Sequence, residues 1–103
     1  MAPLSLAQIE KIIIDTLSPL GVVRISLFGS FSRGETNPGD IDILVKLPDP
    51  KSRKAIGMRW FVLDQELSEK IGMSVDLVSE DSVSPVLRKV IDRDRRVIYE
   101  KTG

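Results

Sequence analysis

Residues 40–47 read DIDILVKL, and this stretch restricts the fold more tightly than any other in the chain. Ile41, Ile43, Val45 and Leu47 alternate with Asp40, Asp42 and Leu44, the period-two pattern of a strand. Side chains two apart in a strand point the same way, so Asp40 and Asp42 project together from the face opposite the isoleucines. Two unpaired carboxylates held that closely repel, and each resists ionising beside the other. A hard divalent cation removes the conflict. A solvent-facing pair on a loop edge simply tolerates it.

The residues before this strand change the odds between those two readings. Residues 22–28 (VVRISLF) are apolar and rich in β-branched side chains, which predicts a buried strand. Residues 29–39 (GSFSRGETNPG) hold three glycines, a proline and small polar residues, which predicts a short helical turn followed by a loop. If Ser30 opens that turn, backbone N–H groups, the positive end of the helical dipole and a hydroxyl all meet phosphate there. Taken alone, Ser30 reads first as a plain N-cap. Arg33 can contact phosphate oxygens or brace the acidic loop through a salt bridge, and Gly34 permits a turn with positive φ. A phosphate turn followed by paired carboxylates suits a metal-bound nucleoside triphosphate.

Flanking elements follow from apolar spacing. Residues 4–20 predict an amphipathic helix with a Ser5/Gln8 capping box and a Leu4/Ile9 staple. Leu6, Ile9, Ile13 and Leu17 fall on one face, and Pro19 and Gly21 end the helix. Residues 52–71 predict a longer helix with Ile56, Trp60, Leu63, Leu67 and Ile71 as one apolar stripe and Gly72 beyond its end. On that stripe Trp60 reads as core or subunit interface and not as a platform for a nucleobase. Residues 74–78 predict a third strand, Ser84-Pro85 the start of a last helix with Leu87, Val90 and Ile91 inward, and residues 96–100 an edge strand. The order is α-β-(turn)-β-α-β-α-β, an α/β (α+β) fold with a small mixed sheet flanked by helices.

Composition removes several chemistries. The chain has 103 residues, which predicts a single domain over residues 1–103. It has no cysteine and no histidine, so disulfides, thiolate sites and imidazole catalysis are excluded and carboxylates remain as metal ligands. Fifteen basic and fifteen acidic residues balance, which counts against sequence-independent binding to nucleic acid and against an anionic membrane. The start of the chain, MAPLSLAQIEK, has no basic segment leading into a long apolar one, and no run approaches the length of a membrane span. A cytoplasmic location is the expectation. A basic run near the end (Arg88, Lys89, Arg93, Arg95, Arg96) reads as a solvated face, with contact to an acidic partner or to triphosphate as the sharper alternative.

Asp76, in SVDLV, is the third acidic candidate. An aspartate inside a short, otherwise buried strand is costly unless paired or metal-bound. If that strand lies beside the one carrying Asp42, three carboxylates converge, and three negative charges suit two Mg2+ ions bridged by a triphosphate.

Gly29-Ser30-x-x-Arg33-Gly34, Asp40-Ile41-Asp42 and the later strand-borne Asp76 together resemble the nucleotidyltransferase superfamily of DNA polymerase β type. The chain most closely resembles its smallest branch, the minimal nucleotidyltransferases, over nearly its whole length. The resemblance implies a nucleotidyltransferase fold, two Mg2+ ions held by Asp40, Asp42 and Asp76, and ATP gripped at Gly29 and Ser30. It implies Asp76 as the base that activates the attacking hydroxyl. It departs at Gly39, where a serine commonly precedes the first aspartate. Members of this branch are commonly antitoxins paired with a helical HEPN-domain ribonuclease toxin, to whose tyrosine they transfer AMP from ATP. The resemblance therefore implies such a toxin as partner in a hetero-oligomer. The alternatives are a binding antitoxin that acts by occlusion, or a nucleotidyltransferase for a small molecule or an RNA end.

Overall fold

A computed structural model describes residues 4–29 and 40–101. The expected turn and loop, with Ser30, Arg33, Gly34 and Gly39, lie outside the described residues; Gly29 lies within them.

Helix α1 (Leu6–Leu17) starts as its sequence demands. Gln8 N–H donates to Ser5 Oγ at 3.2 Å and Ser5 N–H donates to Gln8 Oε1 at 2.7 Å, closing the capping box. Ile9, Ile13 and Leu17 are buried, and Leu4 packs against the same core. Leu6 departs from expectation. It is 42% exposed, because the first helical residue lies ahead of the stripe and Leu4 covers that ground instead. Residues Ser18–Leu20 tighten into a 3-10 turn closed by Gly21 at φ 81°.

Strands β1 (Arg24–Phe28) and β2 (Asp40–Lys46) follow. The single helix expected over residues 52–71 is two helices, α2 (Pro50–Ile56) and α3 (Arg59–Ile71). Gly57 adopts φ 58° between them, a left-handed conformation that ends one helix before the next begins. Trp60, Leu63, Leu67 and Ile71 still form the buried stripe, now on α3 alone, with Ile56 packed beside them. Then come β3 (Ser74–Ser79), α4 (Pro85–Asp94), capped by Ser84, and β4 (Arg96–Glu100).

The sheet runs in the order β3-β2-β1-β4. Strand β1 is antiparallel to both β2 and β4, while β2 and β3 are parallel, so the sheet is mixed. One sheet face, with Ile25, Leu27, Ile41, Ile43, Val45, Val75 and Leu77, packs against α1 and α3. On the other face Phe28 and Leu44 pack under Ile91 of α4, with Val78 and Leu87 alongside. Val90, expected inward, is 36% exposed. It lies one residue before Ile91, and so about 100° round the helix from it. At the outer edge of β3, Ser68 Oγ accepts from Val75 N–H at 3.1 Å and donates to Asp64 C=O at 3.1 Å, which ties α3 to the edge strand.

Within the basic run near the end of the chain, Lys89, Arg93 and Arg96 are exposed, whereas Arg95 is drawn into the fold. Glu80, only 4% exposed, lies at the finish of β3 and receives Arg95 Nη2 at 2.5 Å, Arg24 Nη1 at 3.2 Å and Arg88 Nη1 at 3.5 Å. Arg95 Nε also donates to the buried Ser26 hydroxyl at 3.1 Å. Arg96 pairs with Glu10 of α1 at 2.6 Å, and Arg93 with Asp94 at 3.2 Å. Neither the solvated face nor the triphosphate contact describes Arg95, which locks β1, β3 and the α4–β4 junction together. Removing Glu80 takes away the buried anion that Arg24, Arg88 and Arg95 share, leaving, among the described residues, only Arg24 with a second carboxylate, Glu100 at 3.5 Å. Glu80→Ala is therefore expected to cost about 3–5 kcal/mol in urea unfolding; a loss within 0.5 kcal/mol would show that the cluster is held by solvent instead.

Candidate active site

The acidic site begins with strand register. In the parallel β2–β3 pair, Asp42 stands opposite Asp76 and Asp40 opposite Ser74. Ile41 and Ile43 are buried on one face, so Asp40 and Asp42 occupy the other, the face covered further along by α4. Asp76 and Ser74 join them there by the same alternation. Asp42 is half-buried, whereas Asp40 and Asp76 are exposed. Asp76 thus escapes the burial cost that its sequence context suggested; proximity to Asp42 singles it out instead.

Electrostatics confirm that these groups sense one another. Partial burial pushes the Asp42 carboxyl above the ordinary carboxylate range, and the charges of Asp76 and then Asp40 push it further in the same direction. On the neighbouring strand Asp42 faces the buried ring of Phe28, an apolar wall consistent with that desolvation. Among the described residues, no lysine or arginine forms an ion pair with Asp40, Asp42 or Asp76. Spacing also gave no hint of a fourth acid. Asp64 of α3 has its carboxyl pushed up by partial burial and by the charge of Asp76. It belongs to a helix, and only the packing of α3 along the β3 edge brings it near.

Gly29 shows why the segment between the strands opens on glycine. Its φ is 77°, and a Cβ built on it would collide with Asp42 Oδ2 and lie 3.3 Å from Asp42 Cγ. The backbone leaving β1 is thereby pressed against the Asp42 carboxylate. Ser30 and Arg33, expected at the phosphate turn, lie outside the described residues.

This donor set fits Mg2+ chemistry. Carboxylate oxygens are the hard ligands that Mg2+ selects, and their mutual repulsion is the charge a cation would neutralise. Among the described residues no three acidic side chains close into a cation cage by themselves. Mg2+ bound with a nucleotide needs none, since one or two carboxylates share its octahedron with phosphate oxygens and water.

Comparisons with known proteins agree with this geometry. The model of the nucleotidyltransferase domain family matches residues 6–99. The protein adenylyltransferase MntA of Thermococcus cleftensis is 34% identical over 96% of this chain and 99% of its own length. A structure of the tri-AMPylated Shewanella oneidensis HEPN toxin in complex with MNT antitoxin matches with a TM-score of 0.67 at 28% identity, covering 90% of this chain and 71% of that one. A toxin–antitoxin structure with AMP-PNP matches with a TM-score of 0.71 at 29% identity, covering 90% and 74%. The chain is a nucleotidyltransferase. It belongs to the nucleotidyltransferase domain family and, within it, to the minimal nucleotidyltransferases.

Two outcomes follow from the geometry of Asp42. An acid whose folded pKa is raised holds its proton more tightly folded than unfolded, so it removes stability as pH rises through the carboxylate range. Thermal melts should show Asp42→Asn more stable than the parent at neutral pH, with the difference vanishing in acid; parallel curves would contradict the crowding of Asp42. In Gly29→Ala the left-handed backbone should cost about 1–2 kcal/mol in urea unfolding. The added methyl should also displace the Asp42 side chain, which a structure of the variant would reveal.

Proposed function

We propose that this chain, acting as one minimal nucleotidyltransferase domain, transfers AMP from Mg2+-bound ATP to a tyrosine hydroxyl of a helical HEPN-domain ribonuclease, and so serves as its antitoxin. The observation that carries this reading is the row formed by Asp40, Asp42 and Asp76 on one sheet face, with the Gly29 backbone pressed against Asp42. The names of the MntA relative and of the HEPN–MNT complex support the toxin as acceptor and AMP as the group moved.

In this reading Asp40, Asp42 and Asp76 hold the metal ions, while Gly29 and Ser30, aided by Arg33, receive the terminal phosphates. Bound Mg2+ supplies neutralisation of the charge that develops on the phosphate oxygens. The acceptor oxygen forms a bond to the α-phosphorus, the bond from that phosphorus to the bridging oxygen breaks, and pyrophosphate departs with the electron pair. Asp76 is exposed, so a hydroxyl delivered from outside can reach it, and its carboxylate takes the proton. Partial burial and the charges of Asp76 and Asp40 disfavour an ionised Asp42, and a bound cation would relieve that repulsion.

The test uses the purified chain with ATP, Mg2+ and the HEPN-domain protein encoded beside it. Intact-mass spectrometry should show AMP increments on a toxin tyrosine, and Asp42→Asn should slow their appearance by at least about 10²-fold. Transfer unchanged in Asp42→Asn would refute the assignment. Neutralisation retained by an Asp40→Asn/Asp42→Asn variant that transfers nothing would favour occlusion instead.

A further inference from the structure

The acidic row stands at one end of its ladder. Asp42 and Asp76 are the third residues of β2 (Asp40–Lys46) and β3 (Ser74–Ser79), and β3 is an edge strand paired with β2 alone. Ladders fray first at their ends, and an edge strand has no second neighbour to hold it. Asp76 therefore sits where a sheet defines position least. A part-buried serine of α3 works against that looseness.

Ser68 lies inside α3, where alanine would serve the helix better. Its hydroxyl donates to Asp64 C=O at 3.1 Å, one turn back, and accepts from Val75 N–H at 3.1 Å. Its own C=O accepts from Gly72 N–H at 2.8 Å, which closes the helix on a residue at φ 81°. One residue thus fixes both the exit from α3 and the entry into β3. The N–H groups of a strand point alternately to its two sides. With Val75 turned out to Ser68, Asp76 turns its own N–H in toward β2. Among the described residues no other side chain bonds the backbone of β3. Asp64 belongs to the same turn of helix. Its carboxyl is pushed up by partial burial and then by the charge of Asp76, so this turn stands close to the acid.

We infer that Ser68 is a positioning residue for Asp76: its hydroxyl pins the start of β3, so that the Asp76 carboxylate keeps a fixed place beside Asp42. Without that hydroxyl the Val75 amide must turn to water for a partner, and the start of β3 moves with it. Asp42 is held differently, since it has Phe28 on one neighbouring strand and Asp76 on the other. Loss of Ser68 therefore falls on the proton transfer at Asp76 more than on the binding of ATP. This inference rests on the reading above, which gives Asp76 that proton, yet the two fail in different ways.

The test compares Ser68→Ala with Ser68→Thr, which keeps the hydroxyl. Alanine is the stronger helix former, so α3 stays intact in the first variant. In hydrogen exchange followed by NMR, the Val75 and Asp76 amides of Ser68→Ala should exchange roughly tenfold faster than in the parent, with mid-ladder Leu44 as the reference for global unfolding. For AMP transfer to the HEPN-domain protein, well below the melting temperature, kcat should fall roughly tenfold in Ser68→Ala while KM for Mg2+-ATP stays within about twofold. Ser68→Thr should restore both the exchange rates and kcat. A merely structural tie would lower the melting temperature and nothing else. Parental kcat in a Ser68→Ala chain that transfers AMP would thus overturn the inference, as would an Asp76 amide that exchanges no faster than Leu44 reports. If the parent transfers no AMP, the catalytic reading falls, and the Asp76 amide alone decides whether Ser68 holds it in place.

Discussion

The pairing of β2 with β3 in parallel, at the register that sets Asp42 opposite Asp76, is the constraint on which the rest of the acidic face depends. A slip by one residue would put Val75 or Leu77 beside Asp42 and turn Asp76 toward the core. Burial of Ile41, Ile43, Val75 and Leu77 prevents the slip. Each such side chain gains about 1.5–3 kcal/mol on leaving water. Repulsion between two partly solvated carboxylates is of order 1–4 kcal/mol at close range. The apolar face therefore wins, and it forces the acids together on the other side. The fold spends hydrophobic energy to hold like charges close, and the proton affinity of Asp42 is raised first by its partial burial and then by the charges of Asp76 and Asp40.

The same division organises the molecule as a whole. One sheet face carries the larger core under α1 and α3, and the other is shared between a small apolar cluster and two charged zones. At the end where β2 begins, the acids stand without basic partners among the described residues. At the end where β3 finishes, Glu80 is surrounded by Arg24, Arg88 and Arg95. Charge is satisfied internally where it holds strands and helix together. Among the described residues it is left unbalanced along Asp40, Asp42 and Asp76.

Much of this was legible from residue order, for physical reasons that can be named. The Asp40-Ile41-Asp42 alternation could be satisfied only by a half-buried strand, and Ser5, Ser84 and Gly72 marked helix ends because their side chains or φ freedom suit those positions. The break at Gly57 was hidden because the apolar spacing runs through it without interruption. Leu6 and Val90 were misjudged because a helical stripe has a width, and residues on its margin are decided by what packs beside them. Asp64 and the Glu80 cluster were invisible for another reason: both arise from residues distant in sequence, which strand order alone brings together.

The central claim is that Asp40, Asp42 and Asp76 receive a metal-bound triphosphate at the point where Gly29 leaves β1. A crystal structure of the chain with Mn2+ and a non-hydrolysable ATP analogue tests it most directly, because anomalous scattering locates each ion independently of the nucleotide. The account predicts an ion contacting both Asp40 and Asp42, Asp76 within coordinating reach of an ion at the same site, and the terminal phosphates against the segment that follows Gly29. Mn2+ and triphosphate bound elsewhere, with these three aspartates facing only water, would contradict it.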